Sequence, residues 1–270
     1  SCLILVVALV LAQGLTLAHE EGPPHAEIEG PFKTPQEVTK TCLECHEEIG
    51  DDIIKTRHWL WLGKAFMDKN KKIRLGKINM LNNFCVSITS NWPRCTSCHI
   101  GYGWKNNSFD FKKKENIDCL VCHDTTGTYK KFPTGAGMPV SKEKKFMGKT
   151  FTPPDYLKIA QSAGKASRSN CGACHFYGGG GDAVKHGDMD SSLHKPSRDL
   201  DVHMGGKQNF SCTKCHLTKK HVISGALHGS QAAGANHFGC VQCHKEKVHK
   251  KMAKVLDKHS KRVSCQACHI

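Results

Sequence analysis

The chain has 270 residues, of which 39 are Lys or Arg and 24 are Asp or Glu, so its formal net charge is +15. Such a positive charge would suit a nucleic-acid-binding protein, but the sequence has no aromatic-interleaved RNA-binding motif and no zinc-finger spacing. We therefore expect no nucleic-acid partner. The 16 cysteines are the more informative feature of the composition.

The chain begins with an unbroken apolar run at residues 2–12, and the small-x-small sequence Thr16-Leu17-Ala18 follows it. This pattern is typical of a secretory signal and its cleavage site. We predict a signal peptide over residues 1–18 and a single exported domain over residues 19–270. The alternative is an uncleaved N-terminal anchor, although the run is short for a bilayer. Membrane contact is expected only in that case. A charged leader and an initiator Met are missing, so an incomplete start is expected.

The first predicted helix begins at a capping box. Thr34-Pro35-Gln36-Glu37 combines an N-cap threonine, a proline at the first helical position and a glutamate at the third. The helix should run from there into the first pair of cysteines. A second helix is predicted over residues 154–163, ending at Gly164.

A third helix is predicted over residues 245–261. Its apolar stripe consists of Val248, Met252, Val255 and Leu256. His259 continues the stripe and is expected to point inward. Residues 133–139 and 178–181 are predicted loops, and no segment has a convincing strand pattern.

Fourteen of the cysteines form seven Cys-x-x-Cys pairs, each followed directly by a histidine. The composition would produce roughly 0.06 such motifs by chance. The two thiols can add to the two vinyl groups of one haem, and the histidine then lies beneath the iron as a ligand. Structural zinc sites and disulfides are alternatives, but neither needs a histidine after every pair. The seven motifs are Cys42/Cys45/His46, Cys95/Cys98/His99, Cys119/Cys122/His123, Cys171/Cys174/His175, Cys212/Cys215/His216, Cys240/Cys243/His244 and Cys265/Cys268/His269.

Seven c-type haems leave about 36 residues of the predicted mature chain for each cofactor. So few residues per haem cannot bury a conventional hydrophobic core, so the porphyrins must form the core. We predict a multihaem cytochrome c fold that is mainly α, with extensive irregular loops wrapped around stacked haems and almost no β-structure. The intervals between motifs do not repeat, which favours one irregular domain. The fourteen haem propionates would take up most of the positive charge.

Eleven histidines lie outside the motifs and are candidates for the second axial ligands. His19 and His25 fall in an expected disordered N-terminus. The other nine are His58, His186, His194, His203, His221, His228, His237, His249 and His259. Two or three of these must be ordinary surface histidines. The ligands that we expect most are His58, His203, His228, His237 and His259.

The segments between the motifs resemble the octahaem tetrathionate reductase family. The resemblance extends from about residue 41 to residue 270 and is carried by NNFCVSITSNWPRCTSCHIGYGW (82–104), IDCLVCHDTTGTY (117–129), CGACHFYGGGGDAVKHGDMDSSL (171–193) and LDVHMGG (200–206). It implies a periplasmic enzyme with closely stacked, mostly bis-histidine haems. An eighth haem belongs to the family pattern, so we expect its attachment site beyond Ile270.

The resemblance also implies which residues act on substrate. The catalytic haem would be attached to Cys95 and Cys98, with His99 as proximal ligand. A lysine in place of a distal histidine matches Lys185, and an active-site aspartate matches Asp182. Cys85 matches a family cysteine that attaches no cofactor. It is also the one cysteine left outside the motifs once Cys2 departs with the signal peptide. Lone thiols are often inert, and lysines near glycines are often solvated, so these plainer interpretations remain open.

We therefore expect an oxidoreductase that cleaves the S–S bond of tetrathionate to give thiosulfate, and that also reduces nitrite and hydroxylamine. Its substrate would be a small inorganic molecule, and its electrons would come from a quinol-linked or periplasmic cytochrome. The alternative is an electron-transfer cytochrome or conduit with no substrate of its own.

Overall fold

A computed structural model describes residues 25–82, 84–185, 188–225, 239–244, 249, 253–263 and 265–269. The predicted signal segment, the first part of the predicted third helix and the candidate ligands His228 and His237 lie outside these residues. None of the helices in the described ranges is long and apolar enough to cross a membrane.

Short helices joined by long irregular segments make up the described part of the chain. The helices are α1 (Pro35–Cys45), α2 (Glu47–Ile53), α3 (Arg57–Leu60), α4 (Trp92–Cys95), α5 (Leu120–His123), α6 (Tyr156–Gln161), α7 (Arg168–His175), α8 (Val241–His244) and α9 (Ala253–Ser260). Three hairpins are formed by β1 (Phe66–Asp68) with β2 (Lys71–Ile73), β3 (Lys144–Phe146) with β4 (Lys149–Phe151), and β5 (Thr218–Lys219) with β6 (Val222–Ile223). The predicted fold class, mainly α with extensive loops and little β-structure, is confirmed.

Helix α1 begins as predicted. The Thr34 hydroxyl accepts a hydrogen bond from the Glu37 backbone amide at 3.3 Å, and the Glu37 carboxylate accepts one from the Thr34 amide at 3.4 Å. Pro35 occupies the first turn, where an amide proton is not needed. Val38 and Thr39 are buried on the inner face of α1. The helix ends at Cys45, so the first haem motif is its last turn.

The predicted second helix corresponds to α6, which is shorter by two residues at each end and is capped by Asp155. The predicted third helix corresponds in its described part to α9. The expectation that its apolar stripe points inward was wrong for the polypeptide: Val255, Leu256 and His259 are all exposed. The strands went unpredicted because each is only two or three residues long.

Apolar side chains form three small clusters rather than one core. Val38, Leu120, Ile159 and Ala160 make the first, Ile53, Trp59 and Ile117 the second, and Trp61, Ile88 and Trp104 the third. Every buried hydrophobic residue of the described ranges lies between Val38 and Phe176. The described residues after Phe176 are therefore held by something other than a conventional apolar core.

Candidate haem sites and catalytic loop

The histidine of most motifs is placed by one turn of helix. In five motifs its backbone amide donates to the carbonyl of the first cysteine, four residues earlier, at 2.8–3.1 Å. The histidines concerned are His46, His123, His216, His244 and His269. One helical turn puts the imidazole on the same side as both sulfurs. This is the arrangement that covalent attachment and iron ligation by one motif require.

Five histidines outside the motifs face motif histidines. Their ring centroids are separated by 6.2 Å for His25 and His46, 6.1 Å for His58 and His175, 6.3 Å for His221 and His123, 5.8 Å for His203 and His244, and 6.2 Å for His249 and His269. An iron bound about 2 Å from each of two imidazole nitrogens would set the ring centres about 6 Å apart. The five pairs therefore fit bis-histidine ligation of haem.

The Nδ1 atoms of several motif histidines and facing histidines are already engaged. His25 Nδ1 lies 3.0 Å from the Ala163 carbonyl oxygen, and His123 Nδ1 lies 2.7 Å from that of Gly164. His216 Nδ1 lies 3.0 Å from the Ser224 carbonyl oxygen. A proton on Nδ1 that is donated to a carbonyl leaves Nε2 as the lone-pair nitrogen for a metal.

Electrostatics favour the neutral, ligand-competent form of the buried rings. Burial, and then the nearby His175, lower the pKa of His58 to about 4. Burial also lowers the pKa of His175 and of His221. A neutral imidazole is the form that binds iron, so these rings need not lose a proton at neutral pH.

The predicted axial ligands can now be placed. His58 and His203 face motif histidines, whereas His259 is exposed and faces none of the described motif rings. His25, which the sequence places in a disordered terminus, also faces a motif histidine, as do His221 and His249, which the sequence does not single out. For the fifth motif, none of the described histidine rings faces His216. The candidates His228 and His237 lie outside the described residues.

The second motif differs from the others. The His99 amide donates to Thr96 rather than to the first cysteine, at 3.0 Å. The His99 ring is fully buried, with Nε2 2.6 Å from the Trp59 carbonyl oxygen. Burial lowers the His99 pKa to about 3. Its Nδ1 atom is also buried and has no hydrogen-bond partner among the described residues.

Aromatic rings surround His99. The rings of Trp59, Trp61, Trp104 and Phe109 have centroids 4.8–5.5 Å from its own. The cysteines of this motif fit haem attachment, but the imidazole is packed as a core residue. The role of His99 as proximal ligand of the second haem stays a prediction.

Two loops hold the residues implied by the resemblance. Lys185 Nζ lies 5.8 Å from the centre of the Phe84 ring. Phe84 directly precedes Cys85 in the sequence. A Cβ on Gly180 would lie 3.6 Å from Phe84 and 3.4 Å from Val184, so the loops approach closely. Cys85 is exposed and has a φ of +60°, which is uncommon for a residue other than glycine. Residues with this backbone conformation are found at functional sites as well as in tight turns.

Asp182 lies in the second of these loops and is bound to Ser191. Its carboxylate accepts hydrogen bonds from the Ser191 amide at 2.9 Å and the Ser191 hydroxyl at 2.5 Å. These bonds lower the pKa of Asp182. The structure thus brings Lys185 to the Phe84–Cys85 segment, while Asp182 anchors the loop that holds Lys185.

Thiols of different motifs lie side by side. In four pairs of thiols from different motifs, one thiol shifts the pKa of the other: Cys42 with Cys119, Cys98 with Cys174, Cys171 with Cys212, and Cys240 with Cys265. The Cys174 thiol also lies 3.6 Å from the Cys98 carbonyl oxygen. Attachment sites of different haems therefore adjoin each other. No disulfide is formed by the described cysteines.

Comparison with known proteins agrees with this assignment. Residues 41–124 match the family model described as cytochrome c554 and c-prime. The chain is 24% identical over 226 residues to an uncharacterized protein of Archaeoglobus fulgidus, covering 70% of this chain and 75% of that protein. The crystal structure of octaheme cytochrome c from Shewanella oneidensis superposes with a TM-score of 0.77 at 47% identity, over 92% of this chain. The chain spans about half of that cytochrome, 53% of its length. Together with its motifs and facing imidazole pairs, these similarities show that the chain is a multihaem c-type cytochrome.

Proposed function

We propose that this cytochrome is a periplasmic reductase of tetrathionate, and also of nitrite and hydroxylamine, at the haem attached to Cys95 and Cys98. The observation that carries the proposal is the exceptional second motif, whose histidine is enclosed among aromatic rings. The resemblance implies His99 as the proximal ligand of this haem and Lys185 as its distal ligand in place of a histidine. The choice of tetrathionate rests on the same resemblance.

The position of the lysine loop supports this role. Cys174 lies in the last turn of α7, and the glycine-rich segment that leads to Lys185 follows this helix. The Cys174 thiol adjoins Cys98. The Phe84–Cys85 segment precedes α4, which ends at Cys95. Both loops therefore extend from the neighbourhood of the same attachment site, and the contact of Lys185 with Phe84 joins them.

Each side chain would have a distinct task at this site. Lys185 would bind iron as the neutral amine, and it is more easily displaced than an imidazole. Asp182, bound to Ser191, would hold the loop in place. When bound, haem supplies single electrons and an electrophilic iron.

Cys85 suits attack on a sulfur–sulfur bond because its thiol is exposed. Attack by its thiolate on a central sulfur of tetrathionate would break the S–S bond and release one thiosulfate. The second thiosulfate would remain joined to Cys85 by a new S–S bond. Two electrons from the haems would cleave that bond and regenerate the thiolate. The electrons would come from a quinol-linked or periplasmic cytochrome.

The second candidate function is an electron conduit with no substrate of its own. The five facing imidazole pairs favour it, because uniform bis-histidine ligation leaves no position for substrate. Reduced-viologen oxidation by the full holoprotein separates the two functions. Turnover with tetrathionate, nitrite or hydroxylamine supports the reductase. Fully reducible haems with no turnover of any of the three would support the conduit.

The first substitution to test is Lys185→Ala. We expect it to change the spectrum of one haem, to leave the others unchanged and to lower kcat by at least tenfold, since a positioned group at a reacting centre commonly contributes that much. Ferric EPR and viologen kinetics are the measurements. Lys207→Ala, at an exposed position, is the matched control. Unchanged spectra and kinetics in Lys185→Ala would remove this lysine from the site.

A further inference from the structure

His249 and His269 form the most nearly parallel of the five imidazole pairs. Their ring planes differ by 12°, and their centroids lie 6.2 Å apart. His269 belongs to the motif of Cys265 and Cys268, so His249 occupies the place of the second axial ligand to that haem.

The Nδ1 atom of His249 lies 3.0 Å from Oδ1 of Asp257. Asp257 lies in α9, and the two side chains are 26% and 16% exposed. The other histidines with described Nδ1 contacts at these sites differ, because His25, His123 and His216 meet backbone carbonyl oxygens. Among the described axial candidates, only His249 therefore has a carboxylate on Nδ1.

A carboxylate and a carbonyl act differently on a ligand imidazole. Both fix the tautomer, but a negatively charged acceptor draws the Nδ1 proton more strongly and makes Nε2 a more basic donor. A more basic axial ligand stabilises ferric iron relative to ferrous iron and so lowers the reduction potential. Partial burial strengthens the effect, because the interaction is screened less than at the surface.

We infer that Asp257 is a positioning residue that orients His249 and lowers the reduction potential of the haem attached to Cys265 and Cys268. The other four facing pairs have no described carboxylate on a ligand Nδ1. This haem therefore has the same type of axial ligands as the other four, but it differs from them by the carboxylate beside one ligand.

The test is a spectroelectrochemical titration of the holoprotein. In Asp257→Asn, which keeps the shape and removes the charge, we expect one haem to become easier to reduce. The expected size is about a tenfold change in its ferrous-to-ferric ratio at fixed potential, which is ~59 mV for a one-electron couple. Asp257→Glu should restore part or all of the shift. The double variant Cys265→Ser/Cys268→Ser, which cannot attach this haem, identifies the step that moves.

Two controls separate this inference from general effects. Asp68→Asn removes the same charge from an exposed strand position and should leave every potential unchanged. Asp257→Ser supplies a second neutral residue if Asp257→Asn loses haem, and the same rise is expected. No shift in a fully loaded neutral variant would overturn the inference. So would an equal shift in Asp68→Asn, or a shift in a step that the double variant retains.

Discussion

At the scale of single residues, a buried ion pair joins the second and third haem motifs. Lys131 Nζ lies 3.0 Å from Asp118 Oδ2, and the two side chains are 8% and 0% exposed. The same ammonium donates to the His99 carbonyl oxygen. Tyr102 and Tyr129 donate to the two Asp118 oxygens at 2.8 and 3.0 Å. Burial, and then Asp118, raise the pKa of both tyrosines, so they remain protonated donors.

Replacing Lys131 should be costly, because it leaves a buried carboxylate without its counter-charge. We expect Lys131→Met to lower the free energy of unfolding by about 3–5 kcal/mol. Guanidinium unfolding of the holoprotein measures this. Lys114→Met is the matched control: Lys114 lies 2.7 Å from Asp51, but these two side chains are 30% and 51% exposed, so the change should be much smaller. Similar losses in both variants would mean that Lys131 is not specifically needed by Asp118.

The packing around His99 shows the limit of prediction at this scale. The Cys95-x-x-Cys98-His99 spacing is the same as in the other motifs, so sequence alone assigns its imidazole to iron. The structure packs that ring among Trp59, Trp61 and Trp104, two of which lie about 40 positions earlier in the chain. Contacts at such sequence separation depend on tertiary packing and leave no local signal.

At the scale of elements, the β5–β6 hairpin presents a candidate axial histidine. Its two-residue turn consists of Lys220 and His221, with φ of +49° and +59°. A type I′ turn normally takes Asn or Gly at these positions, because other residues are strained there. The His221 ring faces His123 at 6.3 Å. The strained turn thus places the second imidazole at the third haem site.

Removing the hairpin histidine should open one axial position. We expect His221→Ala to convert one low-spin haem to a high-spin haem while the other haems stay low-spin. Ferric EPR and the high-spin absorption band report the change. His259→Ala is the control, because His259 is exposed and faces none of the described motif rings. A high-spin signal in His259→Ala but not in His221→Ala would reverse the assignment.

Elements differ in how far the sequence predicts them. The start of α1 was predictable because Thr34 and Glu37, whose side chains and amides form its capping box, are only three positions apart. The β5–β6 hairpin was not, since Lys220 and His221 are poor turn residues and each strand has two residues. The prediction that His25 lies in a disordered terminus was also wrong, because the contact that orders it is distant in sequence. A short 3₁₀ helix and a contact with Ala163, 138 positions away, hold it opposite His46.

At the scale of the whole molecule, the thiol contacts order the haem sites. They join the first site to the third, the second to the fourth, the fourth to the fifth, and the sixth to the seventh. Cys122 lies close enough to Cys171 and Cys174 to affect their pKa values, and Cys243 likewise affects Cys215. These proximities link the third site to the fourth and the fifth to the sixth. The sites thus form one row, with the second site branching from the fourth.

In the proposed reductase, this order would make the fourth haem the junction through which electrons reach the second. His58 is the imidazole that faces the fourth motif, and His25 faces the first, at the far end of the row. Methionine in place of an axial histidine raises the potential of a haem. A raised potential at the junction should trap electrons there, whereas the same change at the end of the row should matter less.

We therefore expect His58→Met to slow oxidation of the reduced holoprotein by tetrathionate more than His25→Met does. Stopped-flow absorbance measures both rates, and redox titration confirms that each variant raises one potential by a similar amount. Equal slowing would contradict a junction at the fourth haem. Faster oxidation of His58→Met than of His25→Met would mean that the second haem branches from another site in the row. In that case the electrons would not need to pass through the altered fourth haem.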